Sequence, residues 1–505
     1  MTRGTLFVLV STLLLVGLNF VARVLIVRNI SASNWSAFSF GFTLTGVLVS
    51  IGFLGLPSAV ARSIPYAATD DERRTIVSAT LWIGSIAALV SSVLLYLFAN
   101  SIGAALGSPA IGLGLEYFPI SVGSLVIATI IASIFQGYED VTPNALFVQV
   151  VNPAIFVAFL VWASVLPNVG ITYRESLLAY ALANAITLGL LVLYLVVRLP
   201  RRLPRGPRAP SSLGKYLRFT APLFVVGVMG TVVGSGDTLL LGVFHAGEVG
   251  TYTASLTLSR LLPIGVTAAA YIFLPVASRL LRLNDPRSIA ITYATVTKWM
   301  ILVSLPLFLL FFFLPGDSLG FVYGPSYTTV VLPLQITVAG AFVTTLLGPA
   351  PTAQVAFGQT RLLASNAVAA GLLDVGVAFV LVPTYGYVGA AIAWGVANAA
   401  YTGLSLAELG VSTHVHPFEW HYVVPVVVTG VPVAVVLALL RPAVPWWGLP
   451  ILAVGIALLF VVVVLATRSI DDGDRLLLDA VERLVGRPLP WLRSLGRYAL
   501  RRRDT

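Results

Sequence analysis

The sequence predicts an all-α polytopic membrane protein of about 14 transmembrane helices, with two parallel six-helix lobes around a central cavity plus two C-terminal helices. Three observations support this fold class: an apolar composition, recurring apolar segments and an internal repeat. Hydrophobic residues make up 58% of the chain and charged residues only 10%, whereas soluble domains carry about 25% charged residues. The mean hydropathy is +0.95. This composition leaves no room for a large soluble domain.

Apolar segments of roughly 20 residues, the length that crosses a bilayer, recur from one end of the chain to the other. The N-terminal run continues through Arg23 to Val27 without a clear small-residue cleavage site, which favours a first span over a signal peptide. The predicted spans cover about 5–27, 35–57, 76–99, 116–136, 143–166, 175–197, 219–243, 251–275, 288–314, 328–350, 360–382, 387–409, 421–440 and 446–467.

The spans and the charged segments between them divide the chain into five regions. A linker with seven basic residues and no acidic one separates the sixth span from the seventh. The regions are an N-lobe (1–197), a basic cytoplasmic linker (198–218), a C-lobe (219–409), spans thirteen and fourteen (410–467) and a tail (468–505).

The tail has the pattern of amphipathic helices that lie on the inner membrane surface. Apolar residues share one helical face, and arginines recur at a spacing of four, which suits contact with anionic headgroups. The apolar residues are Leu477, Val481 and Leu484, and the arginines are Arg493, Arg497 and Arg501.

The basic residues predict the orientation, because Lys and Arg accumulate in cytoplasmic loops. With the N-terminus inside, 24 of the 30 Lys and Arg residues fall on the cytoplasmic side. The outer side receives only Arg28, Arg174 and Arg441. We therefore expect a multi-pass protein of the cell (plasma) membrane with both termini in the cytoplasm. This placement explains the net charge of +10 better than nucleic-acid binding does.

An internal repeat at an offset of 214 residues relates the two lobes. Asn152 and Asn366 are separated by this offset, and so are Arg23 and Asp237. The tripeptides Ala183-Asn184-Ala185 and Ala397-Asn398-Ala399 share it. The matches fall in the first, fifth and sixth spans of each half, which predicts a parallel six-plus-six repeat. Two such lobes enclose a central cavity and alternate access by rocking about it.

Two motifs carry a family resemblance. One is Asp237-Thr-Leu-Leu-Leu-Gly with Glu248-Val-Gly-Thr-Tyr252, and the other is Pro383-Thr-Tyr-Gly-Tyr-Val-Gly-Ala-Ala-Ile-Ala393. Over nearly its whole length the chain resembles the polysaccharide and oligosaccharide flippase branch of the multidrug, oligosaccharidyl-lipid and polysaccharide exporter superfamily. The resemblance implies a transporter, not an enzyme, that flips a lipid-linked (pyro)phosphate oligosaccharide from the inner to the outer leaflet. Membrane lipids and glycosyltransferases of the same pathway are the other expected partners.

Five charged residues inside the predicted spans are candidates for function, because a charge at membrane depth is costly unless it faces water, a partner or a substrate. Arg23, Arg260 and Lys298 are candidate substrate ligands, since a guanidinium fork suits phosphate oxygens. Asn152 and Asn366 are candidate ligands for the sugar. The alternatives are interfacial placement of Arg23 or Lys298 and hydrogen bonding between helices for the asparagines.

Asp237 and Asp374 are the candidate ion-coupling residues. Two close carboxylates do not both stay ionised without a cation between them, so the pair would hold Na⁺ or share a proton. The alternative is an ion pair of Asp237 with Arg260. We expect no other cofactor. His414, His416 and His421 lack a clear fourth ligand, and we predict no metal site there.

Two other functions are the alternatives to a flippase. A cation-coupled multidrug exporter would favour an acidic cavity in the first lobe, whereas this lobe offers Arg23. A multispan glycosyltransferase or polymerase would need a sizeable outer loop with paired acidic residues, and the predicted outer loops are short and nearly uncharged.

Overall fold

The computed structural model describes residues 2–166, 170–199, 213–283, 286–328, 330–413, 416–418, 420–440, 444–445, 447–467, 469 and 474. Within these residues all regular structure is helical. The α-helices are α1 (Thr2–Asn29), α2 (Ala32–Gly52), α3 (Leu56–Tyr66), α4 (Asp70–Ala105), α5 (Pro109–Gly137), α6 (Asn152–Val165), α7 (Tyr173–Arg198), α8 (Leu213–Phe244), α9 (Val249–Ser259), α10 (Ile264–Arg282), α11 (Pro286–Phe313), α12 (Pro315–Tyr323), α13 (Val331–Leu346), α14 (Ala350–Ala356), α15 (Thr360–Tyr385), α16 (Tyr387–Thr413), α17 (Trp420–Leu440) and α18 (Gly448–Ala466).

Three shorter elements complete this set. A π-helical segment, Pro143–Val151, leads into α6, and two 3₁₀ turns cover Ala246–Glu248 and Pro325–Tyr327. Each predicted span coincides with a helix or with two consecutive helices. Ten helical segments of the described chain are long and apolar enough to cross a membrane. The all-helical membrane fold is thus confirmed, while the number of about 14 spans stays a prediction.

The chain divides into two compact units, and each is described by itself. The N-terminal unit contains Val10–Thr251 and Val382–Gly386. Its helices pack closely where small residues face each other: a Cβ added to Gly103 would lie 2.6 Å from the Cα atom of Gly112. This fit joins α4 to α5. The division groups α8 with the first six spans, whereas the repeat assigns it to the C-lobe, so the predicted domain boundaries remain a prediction.

The C-terminal unit contains the described residues within Met1–Leu9, Tyr252–Leu381 and Tyr387–Thr505. In this unit α11 packs against α10, α13, α17 and α18. The tenth predicted span is interrupted between α13 and α14 at Gly348, which has φ +77°. The Tyr293 hydroxyl of α11 donates a hydrogen bond of 2.6 Å to the Leu347 carbonyl oxygen there. This bond satisfies a carbonyl group at the helix end.

Candidate substrate-binding site

Arg23 of α1 lies against an aromatic cluster in the N-terminal unit. The cluster consists of Phe38, Phe42, Phe118, Phe156 and Tyr180. The guanidinium carbon of Arg23 is 5.0 Å from the centroid of the Phe42 ring, and the rings of Phe42 and Tyr180 are 5.4 Å apart. A cation at this distance is attracted by the face of the ring. Arg23 is half-buried. Its guanidinium group therefore contacts Phe42 and is still partly exposed at the surface of the unit.

An amide network continues from the same cluster. The Asn184 Nδ2 group of α7 donates to the Tyr180 carbonyl oxygen at 2.8 Å and to Ser121 Oγ at 3.3 Å. Asn152 Nδ2 of α6 donates to Asn184 Oδ1 at 3.0 Å and to Thr187 Oγ1 at 3.2 Å. These bonds join α5, α6 and α7. Asn152 thus forms hydrogen bonds between helices, as the alternative to sugar binding predicts. The structure therefore brings Arg23 and Asn152 into one region, connected through Tyr180.

Arg260 marks a break in the eighth predicted span. The backbone leaves the helix after Ser259, and a turn of Arg260, Leu261, Leu262 and Pro263 leads into α10. The Arg260 side chain is exposed. The backbone N–H groups of Arg260, Leu261 and Leu262 donate to carbonyl oxygens of α9. The feature of this break that suits phosphate is therefore the exposed Arg260 guanidinium group.

The two candidate coupling carboxylates are fully buried. Asp237 of α8 and Asp374 of α15 are both 0% exposed. The Thr238 hydroxyl donates to Asp237 Oδ1 at 3.4 Å. Asp237 belongs to the N-terminal unit, whereas Asp374 and Arg260 belong to the C-terminal unit. Both the ion site of Asp237 with Asp374 and the ion pair of Asp237 with Arg260 therefore stay predictions.

Asn366 of α15 bonds to a carboxylate that the sequence analysis did not select. Its Nδ2 group donates to Glu408 Oε2 of α16 at 2.7 Å and to Ser405 Oγ at 3.4 Å. Gln354 Nε2 of α14 donates to the same Glu408 oxygen at 2.7 Å. Glu408 stands at the last turn of its predicted span, and residues at that position read as interfacial. The bonds show that it holds three helices together.

The repeat offers the signal that would have found Glu408. In the first lobe the Tyr194 hydroxyl donates to Asp140 Oδ2 at 3.0 Å. Adding the offset of 214 to these two positions gives Glu408 and Gln354. The two lobes thus make a side-chain hydrogen bond between equivalent positions. The carboxylate is at the first position of the pair in the first lobe (Asp140) and at the second position in the second lobe (Glu408). This correspondence supports the repeat with a contact rather than with residue identity alone.

Lys298 of α11 is used inside the C-terminal unit. Its side chain is 1% exposed, and its Nζ atom lies 2.8 Å from Asp474 Oδ2. The ammonium also donates to the Ser469 carbonyl oxygen at 2.7 Å. Ser469 lies three residues beyond the end of α18, so Lys298 is level with the end of that helix. Two of the three N–H donors of this ammonium are thus bound by the residues after α18.

The remaining sequence candidates fall mostly outside the described structure. His416 is exposed, whereas His414 and the side chain of His421 lie outside the described residues. The described part of the chain contains no group of three His, Cys, Asp or Glu residues that would hold a metal ion. Most of the basic linker and nearly all of the amphipathic tail also lie outside the described residues.

Comparison with known proteins gives the class of the fold. A structure described as "Lipid II flippase MurJ, inward closed conformation" matches with a TM-score of 0.72 at 14% identity, covering 90% of this chain and 97% of that chain. An inward-facing multidrug resistance MATE family transporter of the MOP superfamily gives 0.64 at 14% identity, covering 79% and 94%. A MOP superfamily transporter from Pyrococcus furiosus gives 0.53 at 14% identity, covering 82% and 95%. The fold is that of multi-pass membrane transporters of this superfamily.

The family follows from the sequence. The profile of the family described as "Polysaccharide biosynthesis protein" matches residues 1–281. This chain belongs to that family, which confirms the resemblance inferred from the motifs. No curated protein gives a significant match to the chain.

Proposed function

We propose that this protein is a flippase that moves a lipid-linked (pyro)phosphate oligosaccharide from the inner to the outer leaflet by alternating access. The family and the transporter fold support the reaction class. The observation that carries the choice of substrate is the pair of accessible arginines within the predicted spans. Arg260 is exposed at a helix break, and Arg23 is half-buried on the face of Phe42.

The chemistry of these arginines fits an anionic headgroup. A guanidinium group at membrane depth is costly unless it faces water, a partner or a ligand. Its fork of donors bonds two phosphate oxygens at once. In this proposal Arg23 of the N-terminal unit and Arg260 of the C-terminal unit are each a ligand for phosphate, and the amide of Asn152 lies near Arg23 in the region that receives the sugar. Asn366 supports the helices through Glu408.

Ion coupling and the cellular setting complete the proposal. A fully buried carboxylate is expensive in its charged form unless a cation or a proton accompanies it. Asp237 and Asp374 are therefore the residues through which Na⁺ or protons would drive transport. The protein would act in the plasma membrane with both termini in the cytoplasm, where glycosyltransferases supply the lipid-linked glycan.

The test is transport of a fluorescent lipid-linked oligosaccharide in proteoliposomes. We expect Arg23→Gln to lower the flipping rate by about 10- to 100-fold, because a hydrogen bond to a charged group contributes about 1.5–3 kcal/mol. Arg23→Lys keeps the charge but loses the fork, so its rate should be intermediate. Arg28→Gln changes an exposed arginine of the same helix and should leave the rate unchanged.

The same question can be asked in cells. Depletion of the protein should make the lipid-linked oligosaccharide accumulate in the inner leaflet. An unaltered distribution of the glycan, combined with new sensitivity to cationic drugs, would instead establish a multidrug exporter.

A further inference from the structure

Asp474 is bound by two side chains of α11 in the C-terminal unit. The Lys298 ammonium pairs with its Oδ2 atom at 2.8 Å, and the Trp299 indole N–H donates to its Oδ1 atom. Asp474 is 6% exposed and Lys298 is 1% exposed. Both oxygens of the carboxylate are therefore engaged by consecutive residues of α11. The contact joins positions 298 and 474 across most of the unit's sequence.

The chain after α18 is turned back toward this contact by local hydrogen bonds. The Ser469 N–H donates to the Val464 carbonyl oxygen at 3.0 Å, and the hydroxyls of Thr467 and Ser469 lie 2.8 Å apart. These bonds satisfy groups at the helix end. They also present the Ser469 carbonyl oxygen to Lys298 Nζ at 2.7 Å. The ammonium thus contacts the returning segment at two places.

The electrostatics require both partners. A buried ammonium is stabilised only when an opposite charge and further hydrogen bonds replace its water. Asp474 supplies the charge, and Ser469 supplies a neutral acceptor. Removal of either charge would leave the other one buried and uncompensated, whereas removal of both would leave two apolar side chains in contact. The single variants should therefore be less stable than the double variant, and this difference can be measured.

We propose that Asp474 anchors the segment after α18 to α11 through Lys298 and Trp299, and that Lys298 serves this anchor and not the substrate. The anchor fixes α18, which packs along α11, at the end that faces the predicted cytoplasm. The described positions Ser469 and Asp474 thereby hold to α11 within the C-terminal unit. This role goes beyond flipping and needs no knowledge of the transported lipid.

The test is a double-mutant cycle in the full-length protein in detergent. Lys298→Met and Asp474→Leu should each lower the apparent melting temperature by about 5 °C or more, since each leaves a buried unpaired charge. The double variant Lys298→Met/Asp474→Leu should recover at least half of that loss. Trp299→Phe removes one donor and should cause a smaller decrease. Arg73→Gln, which breaks an exposed ion pair with Asp70, is the control and should change little.

Transport by the double variant separates the anchor from a ligand role. If Lys298 serves the anchor, the double variant regains flipping together with stability, measured well below its melting temperature. A double variant that is stable but does not flip the lipid would assign Lys298 to the substrate and overturn the proposal. Unchanged melting temperatures in both single variants would overturn it as well.

Discussion

The contact between α2 and the start of α9 gives a sharp test of the structure. Ser36 Oγ donates to the Gly247 carbonyl oxygen at 2.8 Å and accepts the Gly250 N–H at 3.0 Å. The Trp35 indole donates to the Gly250 carbonyl oxygen at 2.8 Å. A Cβ added to Gly250 would lie 2.6 Å from Trp35 Cδ1 and 2.8 Å from the Ser36 backbone nitrogen. Gly250→Ala must therefore push α2 away, whereas Gly247→Ala meets open space.

The size of the effect follows from these contacts. Overpacking costs about 1–3 kcal/mol, and each of the two hydrogen bonds at Gly250 contributes about 1 kcal/mol. Alanine regains about 1 kcal/mol through its higher helix propensity. The net weakening of this contact is about 2–4 kcal/mol. Since 1.4 kcal/mol corresponds to a factor of ten, local opening should become about 30- to 700-fold more frequent.

The assay uses the absence of cysteine from the chain. Ser36 is 2% exposed, so a maleimide reaches Ser36→Cys only when the contact opens. The rate of labelling of this cysteine is compared between Gly250→Ala and Gly247→Ala. Because the cysteine replaces the Ser36 hydroxyl, only the Trp35 bond to Gly250 remains. The expected weakening in this background is about 1–3 kcal/mol, or about 5- to 140-fold in the labelling rate. A rate ratio below about twofold would refute the packing argument, because it lies below this range. A ratio within the expected range would show that the fit of Gly250 against Trp35 and Ser36 keeps this contact closed.

Other predictions concern the second lobe and the coupling carboxylate. Glu408→Leu removes the acceptor shared by Asn366 and Gln354, and we expect it to lower the free energy of unfolding by about 2–3 kcal/mol. Thermal denaturation measures this loss, and Glu408→Gln, which keeps one acceptor oxygen, is the control. Gly348→Ala should cost about 1–3 kcal/mol, because φ +77° strains any residue with a Cβ; wild-type stability would show that the backbone adapts. Asp374→Asn should abolish the stimulation of flipping by a sodium or proton gradient, and equal transport with and without both gradients in the wild type would exclude coupling.

The helical membrane fold was predictable because bilayer thickness leaves little choice. An apolar segment of about 20 residues satisfies its backbone only as a helix, so composition and length alone were sufficient. Interruptions were harder to predict. The break at Gly348 depends on the hydroxyl of Tyr293, which caps the carbonyl group of Leu347 from another helix. No periodicity near residue 348 reveals that distant donor.

The sequence predicted which polar residues lie within the spans, but it did not predict which residues they bind. Arg23 and Asn152 stood out because polar groups are rare within spans, and the structure places them in one region. Lys298 stood out for the same reason, yet its counter-ion is Asp474, in a tail whose pattern suggested a surface helix. A charge pair separated by 176 residues leaves no local pattern. Glu408 was not predicted as a buried acceptor, because a carboxylate at the end of a span is expected to face water at the membrane interface.

The reversed bond between equivalent positions of the two lobes limits how their sequences can be exchanged. The Tyr194 hydroxyl donates a hydrogen bond to Asp140, whereas the Gln354 amide donates one to Glu408. Moving one residue to its counterpart site, as in Tyr194→Glu, would set two carboxylates against each other. The reciprocal change Glu408→Tyr would replace the carboxylate that accepts from Asn366 and Gln354 by a single hydroxyl group. A hybrid protein that exchanges single helices between the lobes must therefore transfer both members of each bond together.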